Sequence, residues 1–272
     1  IFIILRFINI RTFDAFNLSM TIISSGGFLP TNEIDTIIKT NLQKFVLSIL
    51  LLISFYSLYV SYNLINIKKK NLNFFTEDLY LSIYLFFVII FFFIFFNSEN
   101  NFFSIFFSIT SSVSNIGISL KDTPSSLNFL FVLLVIIGGS FFSTSSGLRF
   151  LRLYALFKYS INELLSHAKP KNVYINKFYL SEIEVNKSDL NKYFLSILVF
   201  IISLFSVTFL LTISEINVSD AFKLGILTLM NTVNSSSYQL NDFTFYDLNN
   251  YLKSLFIIYM IIGRVELLTI VI

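Results

Sequence analysis

Apolar runs of two lengths alternate along the chain. The long runs are Leu42–Ile67, Leu79–Phe96, Leu127–Ser146, Tyr193–Ile213 and Tyr251–Ile272. Each is close to the roughly 20 residues that a helix needs to cross about 30 Å of hydrocarbon. The short runs are Phe13–Ile23, Phe102–Val113 and Ala221–Val233. They are too short to span a bilayer, and they predict half-helices that enter the membrane and turn back.

The order of these runs predicts an internal repeat. A long run, a short run and a long run follow one another twice, and the opening Ile1–Ile10 resembles the end of a span before a first, truncated copy. Asp14-Ala15-Phe16 opens the first half-helix and Asp220-Ala221-Phe222 opens the third, while Ser104 takes the same place in the second. Asp and Ser favour N-cap positions. A single shared tripeptide can arise by chance, but the common spacing favours a repeat.

Composition supports a polytopic membrane protein. The chain has 272 residues, of which 55% are hydrophobic and 13% are charged, about half the charge of a typical soluble domain. The absence of Cys excludes disulfides and thiolate metal sites. The single His, His167, argues against a histidine metal cage or a catalytic triad. Because both termini lie in apolar runs, we expect a fragment cut within membrane segments.

Charge predicts the orientation in the membrane. Basic residues concentrate in two connections, at Lys68-Lys69-Lys70 and between Arg149 and Lys192, whereas the connections around the short runs carry mostly acids. The basic connections are expected in the cytoplasm, so the half-helices enter from outside and end near mid-membrane. Helix C-termini carry about half a negative charge, and several such ends around one point favour a cation.

Small residues mark where the backbone is exposed. Gly26 and Gly27 follow the first half-helix and Gly117 follows the second. Glycine turns at membrane depth can direct carbonyl oxygens at a dehydrated ion, although ordinary tight turns are the alternative. The Gly138–Gly147 run interrupts a span, which indicates either a mobile loop or small residues for close helix packing. Arg264 lies within the last span, where a charge is costly, unless it pairs locally with Glu266.

Several motifs resemble one family. They are Ser24-Ser25-Gly26-Gly27-Phe28, the segment from Ile137 through Ser146-Gly147 to Arg152, the stretch His167–Tyr174, and Gly263-Arg264-Val265-Glu266. In this order they resemble the Trk/Ktr/HKT potassium transporter superfamily, and specifically its TrkH branch. The resemblance implies an all-α polytopic membrane protein in which four helix–pore-helix–helix units surround a pseudo-fourfold pore, with the first unit absent from this chain.

The resemblance divides the chain into units. It implies a truncated second repeat over 1–67 (pore helix 13–23, filter 24–28, inner helix 42–67), a third over 68–147 (pore helix 102–113, filter 114–118, broken inner helix 127–147), a cytoplasmic basic helix and connection over 148–190, and a fourth repeat over 191–272 (pore helix 221–231, filter 231–235, inner helix 251–272).

The site residues follow from the same resemblance. It implies that potassium binds at the filter residues Ser25, Gly26, Gly27, Asn115, Ile116, Gly117, Asn231, Thr232 and Val233. The implied gate consists of Gly138, Gly139, Ser143, Thr144, Ser145, Ser146 and Gly147 with Arg264, which acts as an electrostatic barrier. The family has glycine where Val233 stands here. Because a β-branched residue disfavours positive φ, that loop must differ or the alignment must shift to Asn234.

The resulting hypothesis is potassium uptake across the bacterial inner membrane, driven by the membrane potential, by a protein that is not an enzyme. Potassium is the only cofactor expected. The resemblance implies a homodimer, membrane lipid contacts and a cytosolic ring of nucleotide-binding regulatory subunits, and no nucleic-acid partner is expected. Val233 leaves a sodium-permeable or weakly selective transporter as an alternative. A non-transporting scaffold or a membrane enzyme is the other class to test.

Overall fold

The computed structural model describes residues 1–31, 34–58, 75–96, 102–120, 127–168, 179–180, 183–184, 187–233, 238, 240 and 248–264. In chain order the helices are α1 (Phe2–Phe7), α2 (Thr12–Ser24), α3 (Asn41–Leu51), α4 (Phe75–Phe96), α5 (Phe102–Val113), α6 (Asn128–Ile136), α7 (Phe150–Ala168), α8 (Lys187–Ile213), α9 (Val218–Leu229) and α10 (Asn250–Arg264). Short 3-10 turns cover Ile34–Thr36 and Leu52–Ser54.

The described strands are only two residues long. β1 (Ile137–Gly138) pairs in parallel with β2 (Leu148–Arg149), across the interrupted third-repeat helix. β3 (Tyr179–Leu180) pairs antiparallel with β4 (Ile183–Glu184), within the connection that follows α7. Apart from these short pairings, the regular secondary structure of the described residues is helical.

Two described helices are long and apolar enough to cross a membrane. They are Glu77–Phe95 in α4, with mean hydropathy 2.4, and Asp189–Ile213 in α8, with mean hydropathy 2.7. Their outward faces are apolar, since Phe87 and Phe209 are 65% and 66% exposed. Water would penalise such surfaces, whereas lipid matches them.

The short apolar runs form the half-helices α2, α5 and α9, close to their predicted bounds. The predicted caps were wrong, however. Arg11 and Asn217 occupy the N-cap positions of α2 and α9 without a side-chain cap hydrogen bond. Asp14, Ser104 and Asp220 instead stand third in their helices, where the two carboxylates interact favourably with the positive end of the helix dipole. The predicted pore helix 221–231 begins earlier, at Val218, and ends at Leu229.

The predicted inner helix 42–67 is not continuous. Thr40 caps α3 with a capping box completed by Gln43, and the α-helix ends at Leu51, before the 3-10 turn. The backbone beyond it bonds to another part of the chain instead of continuing the helix, as described below. Residues 59–67 lie outside the described residues, as do 265–272 of the predicted inner helix 251–272. The predicted filter residues 234–235 and most of the His167–Tyr174 stretch lie outside them too.

Packing places the units in sequential order. The inner helix α3 of the first visible unit packs against pore helix α5 of the second, and inner helix α6 of the second packs against pore helix α9 of the third. One apolar core joins α1, α2, α3 and α5, and a larger one joins α4, α5, α6, α8, α9 and α10. The predicted fold class, repeated helix–pore-helix–helix units in a polytopic membrane protein, is confirmed.

Candidate ion pathway

The three half-helices end in the same backbone turn. Ser25, Asn115 and Asn231 each adopt a left-handed conformation, with φ of 50°, 59° and 52°. In each case the amide of the next residue donates a hydrogen bond to the carbonyl oxygen five residues earlier. Gly26 bonds to Thr21, Ile116 to Ser111 and Thr232 to Leu227. These paired closures satisfy the terminal carbonyls of a helix. The predicted filter loops therefore leave their helices through the same type of turn.

The loops then meet one another. Gly27 and Gly117 have φ of +70° and +78°. A Cβ on Gly27 would collide with the carbonyl oxygen of Ile116, and a Cβ on Gly117 would collide with the carbonyl oxygen of Val233. Glycine is required at both positions because only a residue without Cβ allows this approach. The three loops, from three separate units, thus bring main-chain oxygens to one place.

Val233 breaks the pattern. It stands at the same register as Gly27 and Gly117, thirteen residues after Asp220, but its φ is not positive. The third loop therefore differs from the other two in its local backbone conformation at this position. Asn234, the alternative position, lies outside the described residues. The neighbouring Asn231 donates from its side-chain amide to the carbonyl of Met260 at 2.9 Å, which anchors the third loop to α10.

The electrostatics of this meeting point favour a cation. The C-terminal ends of α2, α5 and α9 adjoin the three loops, and each end carries a partial negative charge from its helix dipole. Val113, Ile116 and Thr232 are buried around it. A poorly solvated site with converging carbonyl dipoles can replace the water shell of an alkali cation.

The Gly138–Gly147 run is an ordered, non-helical segment. α6 ends at Ile136, and β1 and β2 hold the two ends of the run side by side. Gly147 has φ of +99°, and a Cβ on Gly138 would collide with the carbonyl of Ser146. Inside the run, Ser143 and Ser145 share a hydroxyl hydrogen bond of 2.9 Å. Small residues here permit a tight backbone fold, which we call the inner loop (139–147).

Backbone hydrogen bonds tie the inner loop to the bend after α3. The amides of Ser140 and Ser145 donate to the carbonyls of Phe55 and Ser54, both at 3.1 Å. A Cβ on Gly139 would collide with the Phe55 carbonyl. The carbonyls of Ser54 and Phe55 are therefore taken by the loop and do not accept from amides four residues further along a helix. The first and second visible units are therefore joined through this segment.

Two charged residues that hold the inner loop were not predicted. Arg149 Nη1 donates to the carbonyls of Ser140, Ser143 and Ser145 at 3.0–3.3 Å, and to Ser143 Oγ at 3.1 Å. Glu77, 8% exposed, accepts from the amide of Phe141 at 2.8 Å. The sequence did carry a signal for Glu77. It is an acid in the first turn of a very apolar span, where a buried charge needs a partner.

Arg264 contacts both the inner loop and the first half-helix. Its Nη1 donates to Ser146 Oγ at 2.9 Å, and its Nη2 donates to the Ser24 carbonyl at 3.1 Å. The alternative partner, Glu266, lies outside the described residues. A second link joins the inner loop to the first filter loop, because the hydroxyls of Ser25 and Thr144 lie 3.2 Å apart. The structure thus assembles the predicted filter and gate residues into one connected region.

A cavity of about 150 Å³ lies beside the inner loop. It is bounded by Ser143–Arg149, by the end of α9 at Leu229 and Met230, and by Gly263 and Arg264 of α10. Gly263 packs so closely on the Leu229 carbonyl that no Cβ fits. Arg264 places a positive charge at the wall of this cavity.

These features define a class: a polytopic membrane protein whose half-helices and interrupted helix surround a carbonyl-lined point. A family model described as TrkH, cation transport protein, matches residues 118–272, more than half of the chain. The chain belongs to this family, which consists of transporters and not of enzymes.

The fold agrees with this assignment. The crystal structure of the potassium transporter TrkH from Vibrio parahaemolyticus superposes with a TM-score of 0.84 at 18% sequence identity. The superposition covers 99% of this chain and 60% of that chain, so the present sequence spans about three fifths of the solved protein. No curated protein sequence matches the chain.

Proposed function

We propose that this chain forms three quarters of a potassium uptake pathway in the bacterial inner membrane. The convergence of Gly27, Gly117 and Val233 from three units carries the proposal, because it brings main-chain oxygens and negative helix ends together. Potassium moves inward in single file, drawn by the membrane potential. Ser25, Gly26, Asn115, Ile116, Asn231 and Thr232 complete the filter, and the preceding unit of the full-length protein supplies the fourth loop.

The inner loop is the proposed gate. Gly138, Gly139 and Gly147 let it fold tightly, and its serine and threonine hydroxyls hold it to its neighbours. Arg264 pins the loop at Ser146 and sets a positive charge beneath the filter. A cation leaving the filter meets both the backbone of the loop and this charge. Displacing the loop into the adjacent cavity opens the path.

A sodium-permeable or weakly selective pathway is the second candidate. One observation favours it: the Val233 loop lacks the left-handed glycine conformation that the other two loops share. A filter with one loop of different shape presents fewer equivalent oxygens to a potassium ion, and selectivity depends on their number and placement.

The proposal extends to partners and lipid. A homodimer and a cytosolic ring of nucleotide-binding subunits are proposed, with the inward basic connection after the inner loop as their contact. The helix α7 supports lipid contact at the membrane surface, since Phe157 and Leu164 on it are 69% and 71% exposed and Lys158 is its neighbour in sequence. Such amphipathic basic helices bind anionic bilayer surfaces.

Rubidium uptake tests the proposed function. The full-length protein containing this chain is expressed in a bacterial host that lacks potassium uptake, and rubidium influx is measured with and without excess sodium. Purified protein in liposomes repeats the measurement with an imposed potential. Potential-driven influx with weak sodium competition is expected. Strong sodium competition would support the second candidate, and absent flux from intact protein in liposomes would refute transport altogether.

A matched glycine pair separates the filter from general stability. Gly27→Ala places Cβ against the Ile116 carbonyl at positive φ, whereas Gly225→Ala in α9 meets only flexible side-chain atoms at 3.2 Å or more. We expect Gly27→Ala to abolish most influx and Gly225→Ala to retain it. Equal loss in both variants at equal membrane levels would contradict the role of Gly27.

A further inference from the structure

Asp78 is a buried carboxylate of which only one oxygen is satisfied. It stands in the first turn of α4 and is 5% exposed. Its Oδ1 accepts a hydrogen bond from the Ser57 amide at 3.1 Å, whereas its Oδ2 has no hydrogen-bond partner. A polar atom that is removed from water without a partner is costly. This oxygen therefore marks a place where a ligand is expected.

A second unsatisfied oxygen faces the first. The Ser140 side chain of the inner loop lies beside the Asp78 carboxylate and is fully buried, yet its Oγ also makes no hydrogen bond. The backbone of Ser140 is already used, because its amide donates to the Phe55 carbonyl and its carbonyl accepts from Arg149. Two buried oxygens that face each other without bonding leave a gap that a small ligand can bridge.

The charges around this gap favour a cation. The neighbouring Glu77 has a counter-charge in Arg149. Within the part of the chain that the structure describes, no Lys, Arg or His forms an ion pair with Asp78. The positive end of the α4 dipole offsets only about half a charge. One buried negative charge thus lacks a full counterpart, and carboxylate and hydroxyl oxygens are hard ligands that suit hard cations.

We propose that Asp78 Oδ2 and Ser140 Oγ bind one monovalent alkali cation, sodium or potassium, at the start of α4. A monovalent ion matches the single uncompensated charge. The site is separate from the filter, because its protein ligands are a carboxylate and a hydroxyl instead of the carbonyls of the half-helix loops. The connection before α4 carries Lys68-Lys69-Lys70 and is expected in the cytoplasm, so the site takes its ion from the cytosolic side.

The bound cation links three parts of the chain. Asp78 belongs to α4 and holds the bend after α3 through the Ser57 amide, and Ser140 belongs to the inner loop. The cation therefore adds a contact that the loop must break before it moves, a consequence that rests on the proposed gate. A ligand that binds only the shut form at ten times its dissociation constant favours that form about tenfold. A rising cytosolic cation concentration thus slows further uptake.

Thermal unfolding of the detergent-solubilised full-length protein tests the binding without any flux. The melting temperature is measured in increasing NaCl or KCl, with choline chloride holding the ionic strength constant. Because the filter is also proposed to bind alkali cations, the decisive quantity is the part of the rise in melting temperature that Asp78→Asn and Ser140→Ala lose. Asp78→Asn keeps the side-chain shape and an acceptor oxygen for Ser57.

A matched control is available in the other long span. Asp189→Asn removes a partly exposed acid from the first turn of α8 and should keep the full cation-dependent rise. A smaller rise in both Asp78→Asn and Ser140→Ala supports the site, and the salt for which the rise shrinks identifies the ion. A rise equal to that of the wild type in both variants, for both salts, would overturn the proposal.

Rubidium efflux tests the consequence for the gate. Liposomes with trace rubidium in choline chloride receive the identified ion at equal concentration on both sides. Resting efflux of the wild type should fall about tenfold more than that of Asp78→Asn, which reports competition in the filter alone. Binding without this difference would overturn the link to the inner loop. If the wild type carries no rubidium in either condition, the proposed function fails, while the melting experiment still decides whether the site exists.

Discussion

Replacing Arg264 with alanine should open the pathway. The change removes the hydrogen bonds to Ser146 Oγ and to the Ser24 carbonyl, and it removes the positive charge beneath the filter. Hydrogen bonds from a charged donor contribute about 1.5–3 kcal/mol each when well buried. Because Arg264 is exposed, solvent screening reduces each contribution to about 1 kcal/mol. The loop then loses about 2 kcal/mol of restraint, which corresponds to roughly a 30-fold larger open population.

Liposome flux measures this effect. Full-length wild type and Arg264→Ala are reconstituted at equal protein density, and rubidium efflux is followed without any cytosolic partner. Arg264→Lys keeps the charge but cannot make both hydrogen bonds of the guanidinium group. Its rubidium efflux should therefore lie between those of the wild type and Arg264→Ala. Lys253→Ala removes a charge earlier on the same helix and serves as the matched control. Wild-type efflux from a well-folded Arg264→Ala protein would refute both the restraint and the barrier.

Three further changes test the packing around the pathway. Gly263→Ala should lower the melting temperature of the detergent-solubilised protein and reduce uptake, because its Cβ collides with the Leu229 carbonyl and overpacking costs about 1–3 kcal/mol; an unchanged melting temperature would show that α10 can shift freely. Tyr238→Phe removes the buried 3.4 Å hydroxyl contact with Ser112 behind the second filter loop and should cost about 1 kcal/mol, seen as a lower rubidium-to-sodium ratio with near-normal expression. Glu77→Ala leaves the Phe141 amide without its acceptor and should raise the rubidium leak of the resting protein. Glu77→Gln keeps an acceptor oxygen and should leak much less. Equal leak in both variants would contradict a hydrogen-bonding role.

The sequence was sufficient to predict features that repeat with a fixed spacing. Short apolar runs indicated the half-helices. The common interval of thirteen residues placed Gly27, Gly117 and Val233 at equivalent positions from the sequence alone. The physical reason is local: the length of an apolar run sets membrane depth, and glycine marks backbone that needs positive φ or a close approach.

Tertiary contacts account for what the sequence did not predict. The chain after α3 has no glycine or proline signal, yet the carbonyls of Ser54 and Phe55 bond to a distant loop instead of continuing a helix. The role of Arg149 depends on the same loop folding back over it. The predicted helix caps were also wrong. Asp14 is the third residue of its helix, where its charge stabilises the helix dipole and no cap hydrogen bond is needed.

The hydrogen bonds between the inner loop and the bend after α3 have a mechanical consequence. The amides of Ser140 and Ser145, five residues apart in the inner loop, donate to the carbonyls of the adjacent residues Phe55 and Ser54 in one turn. Because both hydrogen bonds hold the same short loop to one turn, we expect them to break together. Under the proposed gating role of the inner loop, we expect the pathway to switch between shut and conducting states in discrete steps, and single-molecule currents should display abrupt transitions without graded intermediate levels.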